Sequence, residues 1–302
     1  MSFSNEVKSE IISAITDKDK KFACLYGMII FCKKASEKEI CFQCESVDAA
    51  KAFADFSSEV FKQNVSISKE VFERKNGTSL YSFSIKDEES IKKISEVFRI
   101  DLKNREIDLR NIDNNNLSNF VAGVFLSCGS VTNPKNEYHL EFVVPTKQLY
   151  DDMSAVFSSI GLQCKLVMRK NSYILYFKES ENIEDILTFM GAQNSTLELM
   201  DVKIVKDIRN RVNRVNNCEI ANCSKTIDAA VKQKQDIELI DKKVGLSTLP
   251  KALQEMAYVR INNPEMSLKE LGEVFDPPIG RSAVNHRLKR IAAIAENLRE
   301  NK

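Results

Sequence analysis

Histidine is nearly missing from this chain, with His139 and His286 the two among 302 residues. Structural zinc sites draw four ligands from cysteine and histidine. Of the eight cysteines (Cys24, Cys32, Cys41, Cys44, Cys128, Cys164, Cys218, Cys223), only Cys41 and Cys44 stand in CxxC spacing, and no second such pair follows. They fall in EICFQC, which alternates like a strand, so residues three apart point to opposite faces. No metal site and no cofactor is expected, and His139, inside an expected strand, reads as a structural histidine. Long apolar runs are also missing: Phe22 to Cys32 spans eleven residues and contains Tyr26 and Gly27, whereas a membrane-spanning helix needs about twenty. The first ten residues, MSFSNEVKSE, mix charges and lead to no small-residue cleavage site, so no signal peptide is read. The cysteines are therefore expected as reduced thiols, most of them small core residues, in a cytosolic protein. Glycine (9) and proline (6) are few and fall mostly at turns, which leaves no low-complexity segment.

Two globular domains suit this length, with 43% apolar and 29% charged residues. The net charge of +1 hides a division. Residues 1–200 hold 25 Lys and Arg against 29 Asp and Glu, while residues 201–302 hold 19 against 14. The positive potential sits at the C-terminal end.

An internal repeat organises the first two thirds. Residues 25–33, LYGMIIFCK, and 121–129, VAGVFLSCG, share a central glycine (Gly27, Gly123), an apolar stretch and a cysteine five residues on (Cys32, Cys128), at an offset of 96. Two copies at this spacing indicate a duplicated subdomain rather than a solenoid. Period-2 and period-3.6 patterns then succeed one another in the same order. The first copy leads to a strand at about 38–45, a helix at 47–62, strands at about 64–72 and 79–85 and a helix at 87–98. The second leads to a strand at about 138–144, a helix at 146–159, strands at about 163–169 and 172–178 and a helix at 181–190. A further short strand is expected after each glycine helix. The fold class is therefore α+β with pseudo-twofold symmetry over residues 1–195, in halves of about 1–100 and 101–195. Glycine costs about 1 kcal/mol inside a helix, so its presence at both matching positions implies that the two helices meet closely at the axis.

From 196 to 246 the pattern is helical and reads as a linker of one long helix or a helix pair. It carries the basic, asparagine-rich stretch NRVNRVNNCEIANCSK, in which Arg211, Asn213, Arg214 and Asn217 offer nucleic-acid or interdomain contacts, or simply the surface of a polar helix. Residues 247–302 carry the sharpest signal. A helix at roughly 249–262 precedes Ser267, which can cap a second helix with Glu270 three residues later in a capping box. Leu268, Leu271 and Phe275 form its apolar stripe, and Asp276-Pro277-Pro278 stops it. A third helix begins near Gly280 or Arg281 and packs through Val284, Leu288, Ile291 and Ala295. Its opposite face presents Ser282, Asn285, His286 and Lys289, flanked by Arg281, Arg287 and Arg290, with four basic residues and no acid between 281 and 290. Such a helix suits the major groove of double-stranded DNA: Asn pairs bidentately with adenine, while Ser, Lys and Arg read base edges or clamp phosphates.

The paired glycine helices, the NRVNRVNNCEIAN segment and the PPIGRSAVNHRLKRI terminus together resemble the WhiA family of bacterial DNA-binding regulators, over nearly the whole chain. The resemblance implies an N-terminal domain similar to LAGLIDADG homing endonucleases and a C-terminal helix-turn-helix similar to region 4 of sigma factors. It implies roles in sporulation in actinobacteria and in cell division and chromosome segregation in other Gram-positive bacteria. In the nucleases each glycine helix ends in a metal-holding acid. Here those positions are Cys32 and Cys128, and thiols suit magnesium poorly, so no enzyme activity is expected. Gly280 stands where the family commonly has a capping serine, and glycine is a tolerable cap.

The leading expectation is a sequence-specific transcription regulator that binds double-stranded DNA and associates with the nucleoid, without membrane or small-molecule partners. A surviving endonuclease is argued against by the two cysteines. A third reading is an interaction protein whose main partner is a sigma factor or another regulatory protein, with DNA serving for localisation, because a net negative domain gains little from phosphate.

Overall fold

The computed structural model describes residues 2–62, 65–74, 77–169 and 172–300. Three edges of expected spans, Met1, Asn64 and residues 301–302, lie outside them. The chain divides into two compact units, Met1–Lys206 and Asp207–Lys302.

The first unit opens on α1 (Phe3–Ala14), a helix that the sequence reading does not contain, although Phe3, Val7 and Ile11 line its buried side. There follow α2 (Lys18–Ile30), β1 (Lys34–Ser36), β2 (Glu39–Cys44), α3 (Val47–Val60), β3 (Ser68–Glu73), β4 (Ser79–Ile85) and α4 (Glu88–Phe98). The second half repeats the order: α5 (Leu117–Cys128), β5 (Gly129–Val131), β6 (Leu140–Val144), α6 (Lys147–Ser159), β7 (Lys165–Arg169), β8 (Ser172–Phe177) and α7 (Ser180–Phe189). Two antiparallel four-stranded sheets result, ordered β1-β2-β4-β3 and β5-β6-β8-β7. The expected α+β duplication is what the structure has, including the short strand after each glycine helix.

Local chemistry sets the helix starts. Asp17, Ser46, Asp87 and Thr146 each stand at an N-cap in extended backbone and accept the N–H of the third helical residue. Strand alternation sets the sheet faces. Ile40 and Phe42 pair with Ile85 and Phe83, as Leu140 and Phe142 pair with Phe177 and Leu175, and all eight are buried. Behind the sheets, Phe42 stacks on Phe53 of α3 at 4.6 Å, and Phe142 meets Phe157 of α6 at 5.4 Å.

The stretches Ala23 to Ile30 of α2 and Phe120 to Leu126 of α5 are apolar on every side, and a helix of that kind has to be interior; both stretches are buried without a break. The two helices cross backbone to backbone. A Cβ added at Gly27 would lie 2.4 Å from the Phe120 carbonyl oxygen, and one at Gly123 would lie 1.9 Å from that of Cys24. Neither obstacle is a side chain that could rotate away.

Among the described residues the remaining α-helices are α8 (Gln193–Val244), α9 (Lys251–Asn262), α10 (Leu268–Glu273) and α11 (Arg281–Glu300). Helix α8 is one helix of 52 residues rather than a pair, and the division between the units falls within it. Its last turns belong to the C-terminal core, because Ile237 and Ile240 are buried with the helix-turn-helix residues.

Gly27→Ala and Gly123→Ala are each expected to destabilise the first unit by about 3 kcal/mol or more, the upper range for overpacking. Urea unfolding monitored by far-UV circular dichroism measures the loss; an unchanged midpoint in both variants would contradict the backbone contact.

Candidate nucleic-acid interface

The second unit builds its core from Leu253, Met256 and Ala257 of α9, Leu271 of α10, and Val284, Leu288, Ile291 and Ala295 of α11. The expected stripe on α11 is therefore its buried side. Ser267 caps α10 as a complete capping box: its Oγ accepts the Glu270 N–H, and its own N–H donates to Glu270 Oε2 at 2.7 Å. That N–H bond also holds the Glu270 carboxyl below the usual range. The chain then doubles back so tightly that a Cβ on Gly272 would lie 2.2 Å from the Ile279 carbonyl oxygen. The sequence reading does not use Gly272, although a glycine inside a short helix is itself a signal of close approach. Gly280 accepts the N–H groups of Ala283 and Val284 at the head of α11.

With the stripe turned inward, the other side of α11 faces outward. Arg281, Ser282, Asn285, His286, Lys289 and Arg290 are exposed. Arg287 is not freely exposed. Its guanidinium carbon lies 5.3 Å from the Phe275 ring centroid, so the charge is held against the turn between α10 and α11. Ser267 is half-buried, and its side chain is engaged with Glu270: its Oγ accepts the Glu270 N–H, and its hydroxyl also hydrogen-bonds the Glu270 carboxyl. On α8, Arg211, Asn213, Arg214 and Asn217 are all exposed. Asn213 and Asn217, and Arg214 and Asn217, are spaced to share a face.

The ends of α2 and α5 are different in kind. Cys32 is fully buried just past α2, and its Sγ contacts the Lys34 carbonyl oxygen at 2.9 Å. Cys128 ends α5 with its Sγ 3.4 Å from the Val124 carbonyl oxygen. Burial pushes both thiols up to about 12. Each helix end also meets a cation. Arg105 donates from one Nη1 to the carbonyl oxygens of Ile30 (3.0 Å) and Cys32 (2.8 Å). Lys8 donates to the Leu126 carbonyl oxygen at 3.5 Å and lies 5.5 Å from the centroid of the Phe125 ring. Both cations are buried, and the negative end of a helix dipole is where a cation is stabilised. Two neutral thiols beside two buried positive charges do not fit a hard divalent ion. Neither cation leaves a pattern in the sequence: Lys8 stands among the charged residues of α1, and Arg105 lies in an irregular segment with no period to mark it. His139 meets its polar needs locally, with Nε2 3.1 Å from Glu141 Oε2 and its ring near Tyr176.

Comparison with known proteins fits this division. A model of the WhiA LAGLIDADG-like domain matches residues 117–209, and a model of the WhiA C-terminal HTH domain matches residues 212–295. The probable cell division protein WhiA of Clostridium perfringens strain 13 is 39% identical over 317 residues, covering 99% of each chain. The chain belongs to the WhiA family. Among solved structures, full-length DUF199/WhiA from Thermatoga maritima is 26% identical, with a TM-score of 0.57 over 98% of this chain and 99% of that one. The N-terminal LAGLIDADG domain of DUF199/WhiA, at 20% identity and a TM-score of 0.50 over 63% of this chain and 90% of that one, shares the fold. As a WhiA chain, the protein thus pairs a LAGLIDADG-like unit with a helix-turn-helix.

A thiol at about 12 is ionised in about one molecule in ten thousand at pH 8, and the thiolate is the reactive form. Cys218 and Cys223, both exposed, should therefore react first with a disulfide reagent, and Cys32 and Cys128 only after denaturation. Peptide mapping of the native, labelled chain checks the order; early labelling of Cys32 or Cys128 would refute it.

Proposed function

We propose that this WhiA chain is a sequence-specific regulator that binds double-stranded DNA through α11 and acts in transcription linked to cell division. The observation that supports this most is the exposed, acid-free face of α11 over residues 281–290, set against a fully buried stripe on the same helix, which orients one side outward by packing alone. In this reading α11 lies in the major groove. Ser282, Asn285, His286 and Lys289 read base edges, and Arg281, Arg287, Arg290 and Ser267 hold phosphates. Arg211, Asn213, Arg214 and Asn217 add contacts along α8. The protein works in the cytosol at the nucleoid, and its reach extends to chromosome segregation or sporulation.

The first unit is read as a scaffold without nuclease activity, because Cys32 and Cys128 replace the acids and Arg105 and Lys8 supply positive charge at the same helix ends. It also favours a second, compatible reading. Edge strands β3 and β7 are exposed along their length and carry Val71, Phe72, Leu166, Val167 and Met168 outward. Open strand edges with apolar side chains suit a protein partner, such as a sigma factor or another regulator.

Gel shifts on promoter DNA recovered by chromatin immunoprecipitation, run at two salt concentrations, test the main reading. Asn285→Ala should cost about 5- to 150-fold in affinity for the target and relax the preference at one base position. Arg290→Ala should weaken target and scrambled DNA alike and lower the salt slope by about 1. Wild-type behaviour in both variants would remove α11 from the interface.

A further inference from the structure

The second unit contains a buried positive charge that its fold leaves uncompensated. Arg260, in the last turn of α9, is 1% exposed. Its Nε donates to Gln233 Oε1 at 2.9 Å, and its Nη1 to the carbonyl oxygens of Asn263 (3.3 Å) and Met266 (2.6 Å). These partners are neutral. Among the described residues no carboxylate lies within salt-bridge distance of Arg260, and its Nη2 donates to none of them. Elsewhere in this unit a buried charge is paired: Asp236, 1% exposed, meets Arg299 at 2.5 Å. An isolated buried ion is costly, so a guanidinium kept without a counter-ion calls for one from outside.

The surroundings say which kind. Arg260 lines an open groove of about 370 Å³ whose wall also includes Lys225 of α8, Ser267 and Lys269 at α10, and Arg281 and Asn285 of α11. No lining residue is acidic. Four basic groups thus surround one space, with the Asn285 amide as a further donor. The positive end of the 20-residue α11 lies at the same rim. A planar guanidinium flanked by lysines and an amide donor matches a tetrahedral oxyanion.

We propose that this groove binds a phosphate group, and that its occupant is a backbone phosphate of the DNA lying against α11. Arg260 and Lys225 belong to neither the recognition face nor its expected flanks, so the proposal adds a phosphate clamp beside the reading helix. It rests on the reading of α11 as a DNA-binding helix. Phosphate recognition here fixes register on the duplex and carries no sequence information. A free phosphate anion has the same chemistry, and the test separates the two sources.

The variants are Lys225→Ala and Lys269→Ala, whose side chains are exposed and leave the fold alone, together with Arg260→Gln. With full-length protein, each lysine change should weaken binding to target and scrambled DNA by the same several-fold factor and lower the salt slope by about 1. Asn285→Ala, run alongside, should change the target-to-scrambled ratio instead. Melting temperatures with inorganic phosphate against chloride at equal ionic strength identify the source. A rise with phosphate that the lysine variants lose assigns the groove to a free anion and overturns the DNA assignment. No rise, together with altered salt slopes, supports the backbone phosphate. If Arg260 only staples the loop after α9, Arg260→Gln should lower the melting temperature equally with and without DNA; under the proposal the stabilisation by DNA shrinks. Unchanged salt slopes in both lysine variants, while Asn285→Ala and Arg290→Ala still impair binding, would overturn the groove and leave the α11 reading intact. Loss of no binding in any variant would remove both.

Discussion

The contact between Gly27 and Gly123 constrains the first unit more than any other feature. Helix axes usually lie about 8–10 Å apart with side chains between the backbones, but here the carbonyl oxygens of Phe120 and Cys24 occupy the space where a Cβ would be. Close approach of this kind fixes the relative height of α2 and α5 as well as their distance, because each glycine must sit opposite a carbonyl of the other helix. Everything attached to the helix ends inherits that register. β1 and β5 leave within a few residues of Cys32 and Cys128, and β2 and β6 pair with them in equivalent order. The sheets are duplicated because the helices that feed them are locked together.

That constraint is indifferent to the chemistry at the helix ends, and the two separate cleanly here. Glycine is required five residues before each cysteine for packing, whatever the cysteine does. The helix pair can therefore keep its architecture whatever residues stand at these ends, provided that the last carbonyls of α2 and α5 find partners. Arg105 and Lys8 are those partners. Their burial beside neutral thiols puts positive charge at both helix ends, so an acid placed at either position would meet a buried cation.

How much of this was legible follows from what leaves a periodic trace. The glycine repeat, the alternating strands and the stripe of α11 all follow from period, and all stand where the sequence placed them within a few residues. The capping box at Ser267 was legible because its two bonds need two residue types at one spacing. Helix α1 was not, since its apolar residues Phe3, Val7 and Ile11 are few and are diluted by charged neighbours. Arg105 was not, because the segment after α4 has no repeat. Ile237 and Ile240 show a different limit. Their apolar character is plain, but only the arrival of α9 and α11 reveals that the end of α8 is core. Arg287 is a third case, where a flanking cation at helical spacing turns out to rest on Phe275.

Arg260 shows that a charge can be informative by standing within an apolar pattern. Leu253, Met256, Ala257 and Arg260 share one face of α9, and three of them are ordinary core. The fourth puts a guanidinium where packing alone would put a leucine, and a long aliphatic stem explains how it fits but not why it is charged. Asp236 and Arg299 show that this unit can neutralise an interior charge across elements, α8 to α11, when structure is all that is at stake. With no such partner for Arg260 among the described residues, in the wall of a groove that includes the first residue of α11, the explanation shifts from stability toward binding. A helix-turn-helix held by a small core needs its reading helix set at a fixed depth, and a phosphate gripped behind the first turn would set that depth from the DNA side.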